Sequence, residues 1–247
     1  MKIGEQGRSG VAKIGKILAL GDLLLCLALI GVYGYQSSLK RQQAAPAAVT
    51  AETAEAAVQK DEEVRRIAIT FDDGPHPKYT EQLLDGLKER GVHATFFVTG
   101  EHAELHPDVI KRMQEEGHLI GNHTYSHIQL RSSNQDQFRE ELIRTNQVIK
   151  EITGEDTIYV RPPYGSWDKS FEQELNMIPV LWTIDPLDWC SSDASCVVSR
   201  VTVKAKENDI ILLHDYYDTS VEAALEIVDE LMEEGYTFVT VEEILFE

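Results

Sequence analysis

Cysteine is scarce in this chain. Three occur in 247 residues, Cys26, Cys190 and Cys196. None forms a CxxC pair and no cluster of other ligands surrounds them, which argues against thiolate metal storage or dithiol redox chemistry. Basic charge is also short. Lys and Arg number 23 against 42 Asp and Glu, a net charge of −19. The first 60 residues hold more Lys and Arg than acids, so the deficit falls on the remainder. A surface so acidic lacks the cationic footprint that a phosphate backbone requires, and nucleic acid is excluded as a partner. There are no internal repeats, and the one biased segment is the Ala-, Gln-, Thr- and Glu-rich stretch from Ser37 to about Lys60.

Long apolar runs are missing except near the N-terminus. Lys2, Arg8, Lys13 and Lys16 precede an apolar run from Ile17 to Tyr35, broken by Asp22. At about 1.5 Å per residue that run is roughly long enough to cross a ~30 Å hydrocarbon core. Its basic flank belongs in the cytoplasm, which sends the rest of the chain outward. The reading is a cytoplasmic tail over 1–16, a transmembrane signal-anchor over 17–36, a tether over 37–62 and a catalytic domain over 63–247. Secretion after cleavage of a signal peptide is the alternative. An outward compartment permits disulfides, and a Cys190–Cys196 bridge is expected.

The chain is organised around Ile67-Ala68-Ile69-Thr70-Phe71-Asp72-Asp73-Gly74-Pro75. A β-branched, apolar run reads as a buried strand that ends in two carboxylates and a Gly-Pro breaker. Strand neighbours point to opposite sides, so Asp72 and Asp73 should do different work. Two carboxylates this close repel unless a cation or a proton neutralises one. The plainer alternative is a turn in which both merely cap the next helix.

Strands and helices then alternate. The pattern predicts a helix over Tyr79–Arg90, a strand over Ala94–Val98, a helix over Pro107–Glu116 and a strand over Leu119–Gly121. A long helix over Gln135–Thr153 should stop at Gly154. Strands follow at Ile158–Arg161, Val180–Ile184 and Ile210–His214, then a helix over Val221–Glu234 and a last strand over Thr237–Thr240. Such alternation implies a parallel sheet or barrel. The chemical motifs fall at the C-terminal ends of strands, the face where active sites of βα-barrels assemble.

Gly121-Asn122-His123-Thr124-Tyr125-Ser126-His127 places two histidines at i and i+4, a spacing that one helical turn would put on one face as two ligands of one metal. Two histidines and a carboxylate leave coordination positions open for water and substrate. The isolated His76, His93, His102, His106 and His118 read as structural. Three further segments follow: Arg161-Pro162-Pro163-Tyr164-Gly165, Asp185-Pro186-Leu187-Asp188-Trp189 and Leu212-Leu213-His214-Asp215.

This ordered series of five motifs, from about Arg65 to the C-terminus, resembles the polysaccharide deacetylase family, carbohydrate esterase family 4. The resemblance implies an α/β fold, a distorted (β/α)7 barrel. It implies that Asp73, His123 and His127 hold one divalent metal ion, zinc, or else cobalt or another divalent ion. Asp72 would be the general base, Arg161 its charged partner and His214 the general acid. Pro162 and Pro163 have no N–H, so the amide of Tyr164 is the first donor after Arg161 and would bind the oxyanion. Asp185 matches the carboxylate that orients the acid histidine, with Asp188 as competitor. Trp189 and Leu213 would line the acetyl pocket. Tyr125 and Trp167 are candidate sugar-stacking surfaces, against the plainer role of packed aromatics.

The implied activity is metal-dependent hydrolysis of N-acetyl groups on N-acetylglucosamine in a polymer outside the cell, peptidoglycan first. Chitin oligomers, another poly-N-acetylglucosamine and O-acetylated xylan are alternatives within the same chemistry. From another class comes a non-catalytic carbohydrate-binding relic of the same fold, against which stands the presence of every motif residue.

Overall fold

The computed structural model describes residues 64–246. The expected anchor, tether and Cys26 lie outside them. Among the described residues no helix is long and apolar enough to cross a membrane. Seven strands build one sheet: β1 Arg65–Asp72, β2 Thr95–Val98, β3 Leu119–Asn122, β4 Tyr159–Val160, β5 Ile178–Pro179, β6 Ile210–His214 and β7 Tyr236–Phe238. Their order is β5-β4-β3-β2-β1-β6, with β7 also paired to β1. Every pairing is parallel, as βα alternation requires.

The sheet curls. Beyond β5 the chain runs on to Ile184, which bridges to Ile211 of β6 at the far end of the strand order. This explains why the expected strand Val180–Ile184 is not one. The carbonyls of Val180 and Leu181 accept hydrogen bonds from the Arg161 guanidinium at 3.1 and 3.3 Å. A buried side chain takes these two carbonyls, and pairing to β6 begins at Thr183, whose N–H donates to Ile210 O at 2.9 Å.

Strand alternation sorts β1 into two faces. Ile67, Ile69 and Phe71 enter the main core beneath the helices, with Leu83, Leu84 and Leu87 of α1 (Tyr79–Arg90) and Ile211 and Leu213 of β6. Ala68 enters a smaller cluster with Phe97, Tyr159 and Val180. Thr70 and Asp72 share the face of Ala68, and both are buried. Apolar burial at about 25 cal/mol per Å² drives the assembly, and alternation lets the same strand present polar groups on its other face.

Other boundaries moved little. The 19-residue helix Gln135–Thr153 stops at Gly154, whose φ of 79° is a left-handed cap that favours glycine. Asp218–Glu233 begins about one turn earlier than the apolar periodicity indicated, with Asp218 in the first turn, where a carboxylate suits the helix dipole. The last strand is Tyr236–Phe238, not Thr237–Thr240.

The cysteines correct an expectation. Cys190 and Cys196 are free and exposed. Cys190 Sγ turns back to donate to Leu187 O at 3.4 Å, while Cys196 lies in the first turn of Ala194–Thr202, where its N–H donates to the capping Asp193 Oδ1 at 3.2 Å. The loop is short enough to close, but each cysteine is committed to its own turn.

Candidate active site

Asp72 ends β1 beside His214 of β6, to which it is paired in register. Its carboxylate meets Arg161, which is fully buried. Arg161 Nη1 donates to Asp72 Oδ1 at 2.9 Å and to Thr70 Oγ1 at 2.6 Å, and its guanidinium lies 4.2 Å from the Phe97 ring centroid. Burial lowers the pKa of Arg161, and Asp72 opposes that shift. A buried arginine is tolerable only when its donors are used; here they meet a carboxylate, a hydroxyl and two carbonyls.

Asp73 is the first residue past the strand and takes φ 74°, followed by a cis Gly74–Pro75 bond. His102 Nδ1 lies 2.7 Å from the Asp73 carbonyl, which can only accept, so Nδ1 carries the proton. A Cβ on Gly74 would run into the buried Asp215 carboxylate, so this turn requires glycine.

The two histidines converge, but not on a helix. Thr124 and His127 adopt φ 63° and 56°, left-handed values that fold a loop back on itself. Two side chains pin that loop to Gln135–Thr153. Asn122 Nδ2 donates to Leu142 O at 2.8 Å while its Oδ1 accepts from Thr124 N at 2.8 Å. Glu141 accepts from Ser126 N and Oγ, each at 2.7 Å. With Tyr164 at φ 59°, three residues of this site plus Thr124 sit in strained backbone, a cost of about 1–3 kcal/mol each that surrounding contacts must offset.

The imidazole rings of His123 and His127 lie 4.9 Å apart. Both Nε2 atoms stand 3.4 Å from Asp73 Oδ1. His123 Nδ1 lies 2.6 Å from the Arg161 carbonyl, which fixes its proton there and leaves the Nε2 lone pair facing Asp73. One atom from each of Asp73, His123 and His127 lies within 4.8 Å of the others. Asp73 Oδ1 is buried without a hydrogen-bond partner. An orphaned carboxylate oxygen between two imidazole nitrogens fits a divalent ion with N and O ligands.

The electrostatics agree with that geometry. Burial pushes Asp73 up, but the close imidazole of His123, with the charges of His127 and His214, outweighs it and holds the carboxyl at about 2. Burial lowers His127. Burial also works against charging His123, yet Asp72 and then Asp73 raise it overall. These carboxylates attract positive charge to one point.

Across the cavity, His214 Nδ1 meets Asp188 Oδ1 at 2.8 Å, and Asp188 Oδ2 accepts from the His214 backbone N–H at 2.8 Å. Asp185 makes neither contact; its Oδ1 accepts from Leu187 N at 2.9 Å. The partner of His214 is therefore Asp188, and the expectation for Asp185 is corrected. Asp185 closes its own turn, and that turn swings Asp188 inward to full burial of its side chain. Burial lowers the pKa of His214, but the hydrogen bond and charge of Asp188, then Asp72 and Asp73, bring it up to about 9.

Asp72, Asp73, His123, His127, Tyr164, Asp185, Trp189 and His214 line one cavity of about 330 Å³, together with Pro162, Trp182, Leu212 and Tyr217. Leu213 does not reach it. On β6 the face of His214 is shared by Leu212, two residues back, while Leu213 packs in the core at 0% exposure. Period-two alternation from His214 would have found this. Tyr217 and Trp182 carried no motif. His102, read as structural, does hold backbone, but the backbone of Asp73. Tyr125 and Trp167 are packed: Tyr125 donates to Glu104 at 2.7 Å under Arg144, and Trp167 lies against Phe138 and Phe171. A second cavity, about 320 Å³ near His118, Tyr159 and Glu242, lies by the starts of β3 and β4.

Comparison with known proteins points the same way. A family model described as Polysaccharide deacetylase matches residues 59–180. The chain is 40% identical over 178 residues to peptidoglycan-N-acetylmuramic acid deacetylase PdaC of Bacillus subtilis (strain 168), covering 72% of this chain and 38% of that protein. It is 38% identical over 187 residues to a peptidoglycan-N-acetylglucosamine deacetylase of Bacillus cereus, covering 72% of this chain and 87% of that one. The solved structure of PdaC from Bacillus subtilis matches with a TM-score of 0.70 at 38% identity, covering 74% of this chain and 90% of the solved one. The chain spans well under half of full-length PdaC.

Proposed function

The chain belongs to the polysaccharide deacetylase family, and from that premise we propose that it hydrolyses N-acetyl groups on amino sugars of peptidoglycan. One observation carries the reading. An Asp-His-His cluster, Asp72 backed by buried Arg161 and His214 backed by buried Asp188 face a single cavity.

The roles follow from protonation and position. Asp73, His123 and His127 would hold a divalent ion, which when bound would supply Lewis acidity toward the acetyl carbonyl and a water. Asp72, fixed by Arg161, takes a proton from the attacking water. The main-chain amide of Tyr164 is a rigid donor for the oxyanion that forms on the carbonyl oxygen. His214, kept cationic by Asp188, gives its proton to the nitrogen as the C–N bond breaks, so acetate and a free amine leave. Trp189, Trp182 and Leu212 enclose the acetyl methyl and exclude water. The ion is zinc in this reading, with cobalt or another divalent ion as the alternative. Basic residues before Ile17 and the apolar run to Tyr35 support a membrane-tethered enzyme facing outward. Protease added to intact cells should then degrade the domain, and its protection would overturn that placement.

The two aspartates test the mechanism because they should fail differently. In full-length protein Asp73→Asn should lower metal content, since it removes the only anionic ligand. Asp72→Asn should keep the metal and lose about 10²–10⁴ in rate. Metal analysis beside acetate release from peptidoglycan, across a metal titration, reads both. Full activity in both variants would sink the proposal.

A further inference from the structure

The segment that leaves β6 does more than deliver His214. It continues as Asp215, Tyr216 and Tyr217 into the helix Asp218–Glu233. Tyr216 and Tyr217 remain 37% and 44% exposed. They do not dangle. Their rings meet edge to face at 6.1 Å. Tyr216 stacks on His102 at 5.4 Å with 29° between planes, and it meets His76 edge-on at 4.9 Å. His76 stacks in turn on Tyr79 at 4.5 Å, and its Nδ1 accepts from the backbone N–H groups of Lys78 and Tyr79 at 3.2 Å each. Five rings from three separate segments thus lock one another, and two of them keep an open surface.

This surface is continuous with the catalytic cavity. Tyr217 forms part of its wall beside His214. Tyr216 stands two contacts from Asp73, through His102, whose Nδ1 bonds the Asp73 carbonyl at 2.7 Å. Rings already fixed in place lose little freedom when a ligand packs on them. A pyranose presents a face of C–H groups that suits an aromatic ring, while its hydroxyls stay in water. Tyr125 and Trp167 are occupied by their own neighbours.

We propose that Tyr216 and Tyr217 form a sugar-binding subsite outside the catalytic cavity, seating the pyranose next to the one being deacetylated on the same glycan chain. The proposal rests on the deacetylase reading for its ligand, and adds that polymer is preferred over short fragments. Tyr217 forms the step out of the cavity, and Tyr216, braced by His102 and His76, is the outer platform.

The test uses the full-length protein with N-acetylglucosamine as the single sugar and as its hexamer. The quantity measured is the ratio of kcat/KM for the hexamer to that for the single sugar, which has no neighbouring pyranose to occupy the subsite. Tyr216→Ala should lower this ratio about five- to tenfold through KM on the hexamer, as expected for loss of one aromatic contact. Tyr216→Trp should preserve it. An unchanged ratio in Tyr216→Ala overturns the proposal. So does an equal loss on both lengths, which would mean the ring only braces the Asp73 turn through His102. Wild-type protein that releases no acetate from the single sugar, the hexamer or peptidoglycan would instead refute the deacetylase reading, and this subsite with it.

Discussion

Replacing Asp188 by asparagine isolates what holds the proton on His214. The asparagine oxygen can still accept from the His214 backbone N–H, and its amide can donate to Nδ1, so the ring keeps its place while the charge disappears. His214 stands at about 9 against an ordinary 6.5, a preference for the imidazolium of about 3 kcal/mol at 1.36 kcal/mol per unit. Burial acts against that preference, and the Asp188 hydrogen bond and charge come first among the groups that overcome it. Without the carboxylate, burial pulls the value down and only the charges of Asp72 and Asp73 remain. The ring then becomes neutral with its proton on Nε2, too weak an acid to release an amine. The alkaline limb of kcat/KM should move down by about 2.5 units or more, toward or below the ordinary 6.5, with a loss at pH 7 of about fourfold or more from deprotonation alone. Stability supplies an independent check. A histidine raised in the folded state contributes stability that is complete below 6.5 and lost as pH rises through about 9. Wild-type Tm should therefore fall across that window, and the variant's should not. Asp185→Asn should leave the alkaline limb unmoved, because Asp185 meets Leu187 N rather than the ring. A limb that stays put in Asp188→Asn, or moves in Asp185→Asn, would refute the reasoning.

Neighbouring leucines on β6 should behave oppositely. Leu213→Ala empties a fully buried position and should cost about 2–5 kcal/mol in thermal unfolding, while Leu212→Ala, in the cavity wall, should chiefly lower kcat/KM. Burial pushes the Asp215 carboxyl up from 3.8 to about 7, with Thr80 opposing. The folded state then keeps a proton that the unfolded chain releases, so metal-free protein should lose stability as pH rises from about 4 to 7; Asp215→Asn should flatten that dependence and be the more stable protein at pH 8. Thiol labelling of unreduced protein, mapped by peptide mass, should find both Cys190 and Cys196 reactive; recovery of neither would establish the bridge that the structure lacks.

Local pattern carried most of the fold. A β-branched run, a Gly cap and apolar spacing act within a few residues, so β1, β6 and the helix Gln135–Thr153 could be read almost to their ends. Spacing along the chain singled out Asp72, Asp73, His123 and His127, and the family resemblance added Arg161 and His214; each lies at a strand end or just past one. Tertiary structure decided what depends on direction rather than position. Asp188 and Asp185 are three residues apart in one turn, and only the path of that turn, with Leu187 at φ 57°, decides which carboxylate meets His214. The histidine pair has helical spacing but converges through left-handed backbone held by Asn122 and Glu141 from other segments. Val180 and Leu181 have strand chemistry, yet their carbonyls go to an arginine drawn inside the curled sheet. His102 and Tyr216 come to the site across long separations, by ring packing that leaves no spacing to read. Short-range preferences are written in the order of residues; long-range partners are settled only when burial forces each polar group to find one.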